Sequence, residues 1–107
     1  MIGKDSITQI SHIFCGDVEG FYSYKTGSKL VKFFNQYFGM KDIYQSGFPS
    51  RWAYVHDKLV ALFNSGRLDS FFSLVLSKEY LMKEQSLDEV VAAELSENIL
   101  IKFNELL

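Results

Sequence analysis

Apolar residues recur at intervals of three and four along most of this chain, which is the pattern of helices that bury one face. The clearest case is the last segment, where Ser86–Glu89 matches a capping box with acidic residues in the first helical turn. A stripe of apolar side chains follows over about five turns, and it consists of Val90, Val91, Leu95, Ile99, Leu100, Phe103, Leu106 and Leu107. We predict that Ser86 opens the longest or second-longest helix of the protein.

Two earlier segments carry the same signature. The pattern Ser6–Gln9 is a second capping box, and it predicts a helix that ends near Gly16 and buries Ile7, Ile10, Ile13 and Phe14. Residues 16 to 27 contain three glycines and several bulky side chains, which favours an ordered loop over a short strand. Thr26 or Ser28 can cap a helix over about 28 to 38, which is apolar enough to be largely buried and ends at Gly39.

The middle of the chain predicts two further helices. One runs from about Ser50 to Asn64, with an inward stripe of Trp52, Val55, Leu59, Leu62 and Phe63. The next starts at Ser65 or Asp69 and buries Leu68, Phe71, Phe72, Val75 and Leu76. Ser77 can bend it, after which Tyr80, Leu81 and Met82 continue as a short turn or helix.

Composition sets the class of the domain. The 107 residues are 48% hydrophobic and 22% charged, which is typical of one globular domain spanning residues 1–107. Ten phenylalanines and six tyrosines indicate a core rich in rings, with a partly exposed, partner-binding aromatic surface as the alternative. The predicted fold is all-α: a compact bundle of about five helices around one aromatic-rich core.

Net charge and cysteine content indicate which classes of partner and which cellular compartment suit the protein. The net charge of −2 argues against nucleic acid as the main partner, although Lys25, Lys29 and Lys32 cluster in sequence; a solvated helix face is the simpler interpretation. The single cysteine, Cys15, excludes an internal disulfide and fits a reducing compartment. No signal peptide or apolar run of membrane-spanning length is present, so we expect a cytoplasmic protein without membrane contact.

Few residue types here can hold a metal or cofactor. Metal sites require several converging ligands, and the imidazoles and thiols are limited to His12, His56 and Cys15. His12 and Cys15 could share a helix face, as a weak metal site or a nucleophilic pair, but a buried thiol beside a surface imidazole is the simpler interpretation. No glycine-rich phosphate loop is present. We therefore predict no metal and no cofactor.

The stretch Gly47–Trp52 contains the only proline, the only tryptophan and one of two arginines. Pro49 pushes Phe48 towards an extended conformation, and Ser50 can then cap the helix that follows. We predict that Trp52 is mostly buried and that Arg51, about 100° away on an ideal helix, points to solvent or to a partner. The predicted binding residues are Arg51 together with Tyr44 and Phe48 of the preceding loop.

The same stretch offers an enzymatic alternative. Arg51 and His56, separated by four residues, resemble the ribonuclease motif of HEPN domains, which are all-α and often dimeric. In that family the guanidinium stabilises phosphate charge and the imidazole moves protons. The resemblance implies catalysis by Arg51 and His56 at a dimer interface, but Trp52 stands where the family usually has a polar residue.

A second resemblance covers about residues 26 to 76. The segments Leu30–Asn35 and Phe38–Gly39, then Tyr44 and Gly47–Arg51, are similar to the small N-terminal domains of bacterial abortive-infection (AbiJ-type) and related defence proteins. Such front domains are thought to sense or assemble while a later domain acts, and the apolar pattern still runs at Leu107. We therefore expect a non-enzymatic helical protein-interaction, assembly or sensor module that binds a protein partner or itself, with the HEPN-like ribonuclease as the alternative.

Overall fold

The computed structural model of the protein describes residues 3–107. Within this range all regular structure is helical, which confirms the predicted all-α class. The helices are α1 (Lys4–Cys15), α2 (Gly27–Phe38), α3 (Arg51–Asn64), α4 (Leu68–Val75), α5 (Lys78–Gln85) and α6 (Glu89–Leu106).

The described range thus holds six helices, whereas the sequence predicted about five. The additional helix arises at Ser77, which separates α4 from α5. Its backbone is extended and its hydroxyl accepts the amide hydrogen of Tyr80, so it acts as the N-cap of a new helix. The same hydroxyl donates to the carbonyl of Leu74 and thereby satisfies the end of α4. The segment after Ser77 is therefore a helix in its own right.

An aromatic cluster occupies the centre of the fold, as the sequence predicted. The ring of Phe14 lies within 6.4 Å, centroid to centroid, of the rings of Tyr22, Phe33, Phe34 and Phe71. Tilted and edge-to-face pairs of this kind are favoured by the quadrupole of the rings. All six helices contribute buried side chains to the same core. The position of α1 is fixed mainly by α3, and α5 packs mainly on α6.

Two helix starts differ from the sequence prediction. α1 begins at Lys4 behind Gly3, so Ser6 lies inside the helix, where its hydroxyl donates to the carbonyl of Leu106 in α6. Ser86 does not open the last helix, because it adopts a left-handed conformation (φ 54°) and ends α5. The N-cap of α6 is Asp88, whose carboxylate accepts the amide hydrogen of Val91 at 2.9 Å. With 18 residues α6 is still the longest helix.

The buried face of α3 also differs from the prediction. Trp52 and Phe63 remain 37% and 45% exposed, whereas Tyr54, Val55, Leu59 and Leu62 are buried. The face is rotated because the Tyr54 hydroxyl reaches Asp42 at 2.7 Å, which fixes its ring towards the loop before α3. Trp52 instead stacks on the ring of His12, with the centroids 5.1 Å apart. The prediction that Trp52 and Phe63 belong to the core is therefore wrong.

The loop between α1 and α2 is an ordered connection, as expected. It starts at Gly16, which ends α1 with φ at +85°. A Cβ atom at this position would lie 2.4 Å from the backbone of Tyr24, so the return of the loop requires glycine for both conformation and space. Among residues 3–107, no helix combines the length and apolarity needed to cross a bilayer.

Candidate functional site

Arg51 joins the first turn of α3 to the loop between α1 and α2. Its Nη2 donates to the carbonyl of Cys15 at 2.5 Å, and its Nε donates to the carbonyl of Lys25 at 2.6 Å. These two carbonyls lie at opposite ends of the loop, and the Lys25 amide itself donates to the Cys15 carbonyl. The planar guanidinium thus holds the loop closed, a role that suits its fixed fork of donors. The sequence did not predict this bracing contact.

The remaining contacts of Arg51 are an acid and a ring. Nη1 lies 2.8 Å from Asp17 Oδ1, and the guanidinium carbon sits 3.9 Å above the centre of the Tyr24 ring. His12 Nδ1 is 3.2 Å from the other oxygen of Asp17. Burial alone would raise the pKa of Asp17, but hydrogen bonds from Arg51 and His12 outweigh it, and the net effect is a lowered pKa.

Tyr44 and Phe48 lie together, but their neighbours differ from those of Arg51. Their ring centroids are 4.8 Å apart, and Phe48 lies 4.9 Å from Tyr54. Both rings also cover Gly27, where a Cβ atom would come within 2.4 Å of Tyr44. Phe48 is half-buried and Tyr44 is 53% exposed, so this pair fastens the loop before α3 onto the start of α2.

Arg51 and His56, the alternative catalytic pair, have different surroundings. Arg51 is engaged by two carbonyls, a carboxylate and a ring, as described above. His56 is largely buried; its Nδ1 lies 3.6 Å from Asp57 Oδ1, and its Nε2 is buried without a hydrogen-bond partner among the described residues. Phosphate contact by Arg51 would require it to release the loop. Cys15 is fully buried, and burial raises its thiol pKa to about 12, which disfavours the nucleophilic thiolate.

A cleft lies between α2, α5 and the loop residues 23–25. It has a volume of about 360 Å³, within the range of pockets that bind small ligands. Lys25, Lys29, Lys32 and Lys83 line it, and we call it the lysine cleft. Lys29 and Lys32 are three residues apart on α2 and share one helix face. Lys83 reaches the same space from α5, which is distant in sequence.

One lysine of the cleft, Lys25, is already paired with an acidic side chain. Lys25 Nζ forms an ion pair with Glu84 of α5, and both side chains are more than 90% buried. Lys25 also donates to the carbonyl of Phe14 at 3.0 Å and lies 4.4 Å from the centre of that ring. Burial lowers the pKa of Lys25, while Glu84 opposes this effect. The pair therefore forms the rigid base of the cleft and links its loop to α5.

The other three lysines have no acidic partner. Within the described residues, no carboxylate lies within 4.0 Å of the amino groups of Lys29, Lys32 or Lys83, which are all exposed. With four lysines and one glutamate, the lining carries a formal charge of +3 in a chain whose net charge is −2. The rest of the chain therefore carries −5, and positive charge is concentrated at this cleft.

Aromatic rings complete the walls of the lysine cleft. Phe33 is buried, and the rings of Tyr37 and Tyr80 pack on it at centroid distances of 5.1 and 5.8 Å. Tyr24 lines the loop side, where Arg51 covers one face of its ring. Tyr37 and Tyr24 remain 36% and 61% exposed. The cleft thus presents cations beside accessible rings, on a base fixed by buried contacts.

The sequence pointed to only part of this site. The proximity of Lys25, Lys29 and Lys32 is visible in the sequence, which predicts a solvated helix face at this place and not the wall of a cleft. Lys83, Tyr80 and Glu84, the acid that pairs with Lys25, come from α5, a segment that the sequence predicts as a short turn or helix.

A second exposed feature runs along α6. Val90, Ala93, Leu100 and Leu107 fall on one side of the helix and are exposed, although the sequence predicted that most of this stripe is inward. The buried side is formed by Ile99 and Phe103, as the sequence predicted, together with Ala92. α6 therefore contributes one face to the core and leaves a second apolar face uncovered by the described residues.

Comparison of the chain with protein-family models, with curated proteins and with solved structures finds no match. The resemblances to HEPN and AbiJ-type domains stay predictions.

Proposed function

We propose that this domain is a non-enzymatic recognition module of the sensor type, and that it binds an anionic ligand in the lysine cleft. The observation that carries the proposal is the convergence of Lys29, Lys32 and Lys83, each without an acidic partner among residues 3–107, in a chain that is acidic elsewhere. A sensor role also agrees with the resemblance to the front domains of abortive-infection proteins.

The physical reason is electrostatic. Like charges held close together repel each other, and a concave wall of low dielectric strengthens their common field. An anion that enters the cleft relieves this repulsion and gains charge-assisted hydrogen bonds from ammonium groups. The base of the cleft does not need to rearrange for this, because Lys25 is already paired with Glu84. The proposed site is therefore preorganised for a multiply charged ligand.

The proposal can be tested with pyrophosphate as a simple probe. We expect pyrophosphate to raise the melting temperature at low ionic strength, since a ligand that binds only the folded state stabilises it. Replacing each exposed lysine by glutamine should weaken binding about fivefold, on the basis of about 1 kcal/mol for a solvent-exposed charged contact. The triple variant Lys29→Gln, Lys32→Gln, Lys83→Gln should lose about a hundredfold, and titration calorimetry measures this.

A matched variant separates the cleft from the general charge of the protein. Replacing Lys4, Lys41 and Lys102 by glutamine also removes three positive charges, but from positions outside the cleft. We expect this control to bind pyrophosphate almost as well as the wild type. Equal loss in both triple variants, or no binding by the wild type, would refute the proposal.

Self-association is a second candidate function, favoured by the exposed face of α6. Val90, Ala93, Glu97, Leu100, Asn104 and Leu107 alternate at spacings of three and four, which is the seam of a coiled coil. When a second copy lies antiparallel, Val90 of each chain faces Leu107 of the other. Glu97 and Asn104 interrupt the apolar seam and would weaken the pairing. We propose that a second copy of the chain covers this face reversibly.

Sedimentation velocity over a range of concentrations tests this candidate. Leu100→Glu should abolish any concentration-dependent dimer without loss of fold, because Leu100 is 45% exposed. Ile43→Glu, which alters a 72% exposed residue away from α6, is the control and should leave the dimer intact. A wild-type protein that stays monomeric at high concentration would exclude this candidate without affecting the proposal for the lysine cleft.

A further inference from the structure

Cations alone do not account for the composition of the lysine cleft. An inorganic anion requires positive charge and hydrogen-bond donors, whereas the cleft also places the accessible rings of Tyr24 and Tyr37 beside the lysines. Exposed rings that are fixed by packing offer flat surfaces on which planar groups stack. Tyr37 is supported by Phe33, and Tyr24 is held by the guanidinium of Arg51. The site therefore offers two kinds of contact to one ligand.

The two kinds of contact are ordered along α2. Lys29 and Lys32 lie in its N-terminal half, and Lys29 lies in the first turn, where the positive end of the helix dipole adds to its charge. Gln36 and Tyr37 line the cleft about one turn further along. The Gln36 amide can both donate and accept hydrogen bonds, as the edge of a heterocyclic base requires. One end of the cleft thus suits phosphate and the other suits a planar base.

The charge distribution distinguishes a small ligand from a polymer. The cleft, at about 360 Å³, lies near the lower end of the volumes typical of small-molecule sites. A nucleic acid strand would extend beyond it, over a surface that belongs to a remainder with a net charge of −5. Averaged over that surface, phosphate groups outside the cleft would meet negative charge instead of the lysines that nucleic-acid affinity requires.

On the assumption that the cleft binds anions, as proposed above, we infer that its ligand is a free nucleoside polyphosphate. The phosphates contact Lys29, Lys32 and Lys83, and the base stacks on Tyr37 with Gln36 at its edge. Arg51 acts as a positioning residue, because it holds the Lys25 carbonyl and the Tyr24 ring that form the loop wall of the cleft.

Calorimetry with ADP, pyrophosphate and adenosine in magnesium-free buffer tests the inference. Stacking on a protein ring contributes about 1–3 kcal/mol per base, so ADP should bind about 5-fold to about 150-fold more tightly than pyrophosphate. Tyr37→Ala should reduce ADP affinity to that of pyrophosphate and leave pyrophosphate binding unchanged. Lys29→Gln should weaken ADP and pyrophosphate by about the same factor. Adenosine alone should bind more weakly than ADP.

Controls keep the test decisive. Phe63→Ala removes an exposed aromatic ring outside the cleft and should leave ADP affinity unchanged. Tyr37→Leu retains apolar packing on Phe33 without a ring, and it replaces the alanine variant if circular dichroism shows that the latter unfolds.

The outcomes separate the two proposals made for this cleft. Equal affinities for ADP and pyrophosphate would overturn the nucleotide inference and leave the anion-binding function in place, whereas binding of neither would overturn both. Tighter binding of hexaglutamate or of a twelve-nucleotide RNA than of ADP would also refute the inference, and it would indicate an acidic protein segment or a nucleic acid as the ligand.

Discussion

Replacement of Arg51 by alanine tests whether this side chain is a structural brace. The sequence alone suggested that Arg51→Ala changes stability by no more than about 0.5 kcal/mol, as for an ordinary surface residue. The contacts predict a larger loss, because the guanidinium bonds two loop carbonyls, pairs with Asp17 and covers the Tyr24 ring. We expect Arg51→Ala to destabilise the protein more than Trp52→Ala, which reverses the order inferred from the sequence.

The magnitude follows from the individual contacts. A hydrogen bond from a charged donor contributes about 1.5–3 kcal/mol. In Arg51→Ala the Cys15 carbonyl still accepts from the amide of Lys25, so the loss of its hydrogen bond to Arg51 costs an amount at the lower end of that range. The exposed pair with Asp17 adds less than about 1 kcal/mol, and the stacking on Tyr24 adds about 0.5–1 kcal/mol. Since water replaces part of each contact, we expect a total of about 2–4 kcal/mol.

Urea denaturation followed by circular dichroism measures this difference. Trp52→Ala should cost only about 1–2 kcal/mol, because a ring that remains 37% exposed loses less burial than a core residue. Arg51→Lys is the matched control: it keeps the charge but lacks the planar fork, so it should recover less than half of the loss. A free energy of unfolding for Arg51→Ala within about 0.5 kcal/mol of the wild type would refute the bracing role.

Three further predictions concern the loop and its surroundings. Folding lowers the pKa of Asp17 and of Asp42 below the usual 3.8, so as the pH falls the unfolded chain protonates these two carboxylates before the folded chain does. The stability contributed by the two ionised carboxylates is present above pH 3.8 and should be lost as the pH falls below it. Asp17→Asn should therefore make the free energy of unfolding fall less steeply at acid pH. Gly16→Ala should cost several-fold more than Gly20→Ala by urea denaturation, because both have positive φ but only the Cβ at Gly16 meets backbone, at 2.4 Å. Cys15 should not react with a thiol reagent at pH 8 unless urea unfolds the protein, since it is buried with a pKa of about 12; rapid labelling of the native protein would contradict the structure.

The sequence determined the helical class and the identity of the central core. Ile10, Phe14 and Phe34 stand at helical spacings within short segments, and periodic burial of this kind depends only on local geometry. The loop boundaries at Gly16 and Gly39 were also readable, because a residue with positive φ at a helix end is a local requirement.

Only the tertiary structure decided which face of α3 is buried and which residue opens α6. Trp52 and Tyr54 both fit an amphipathic pattern in α3, and the bond from Tyr54 to Asp42 selected the second. Ser86 and Asp88 are both favourable N-cap residues. Because Ser86 adopts the left-handed conformation that ends α5, Asp88 is the N-cap of α6. Choices between residues with similar local preference depend on contacts with distant parts of the chain.

The lysine cleft likewise depends partly on the local sequence and partly on tertiary packing. Lys29 and Lys32 could be placed on one face of α2 from their spacing, since side chains three residues apart on a helix are neighbours. Whether that face is open surface or the wall of a site depends on α5, which brings Lys83 and Tyr80 from some fifty residues away. Helical periodicity is encoded within a few residues, but the meeting of two helices is fixed by the shape of the shared core. The sequence therefore determined the helices, and only their packing created the cleft.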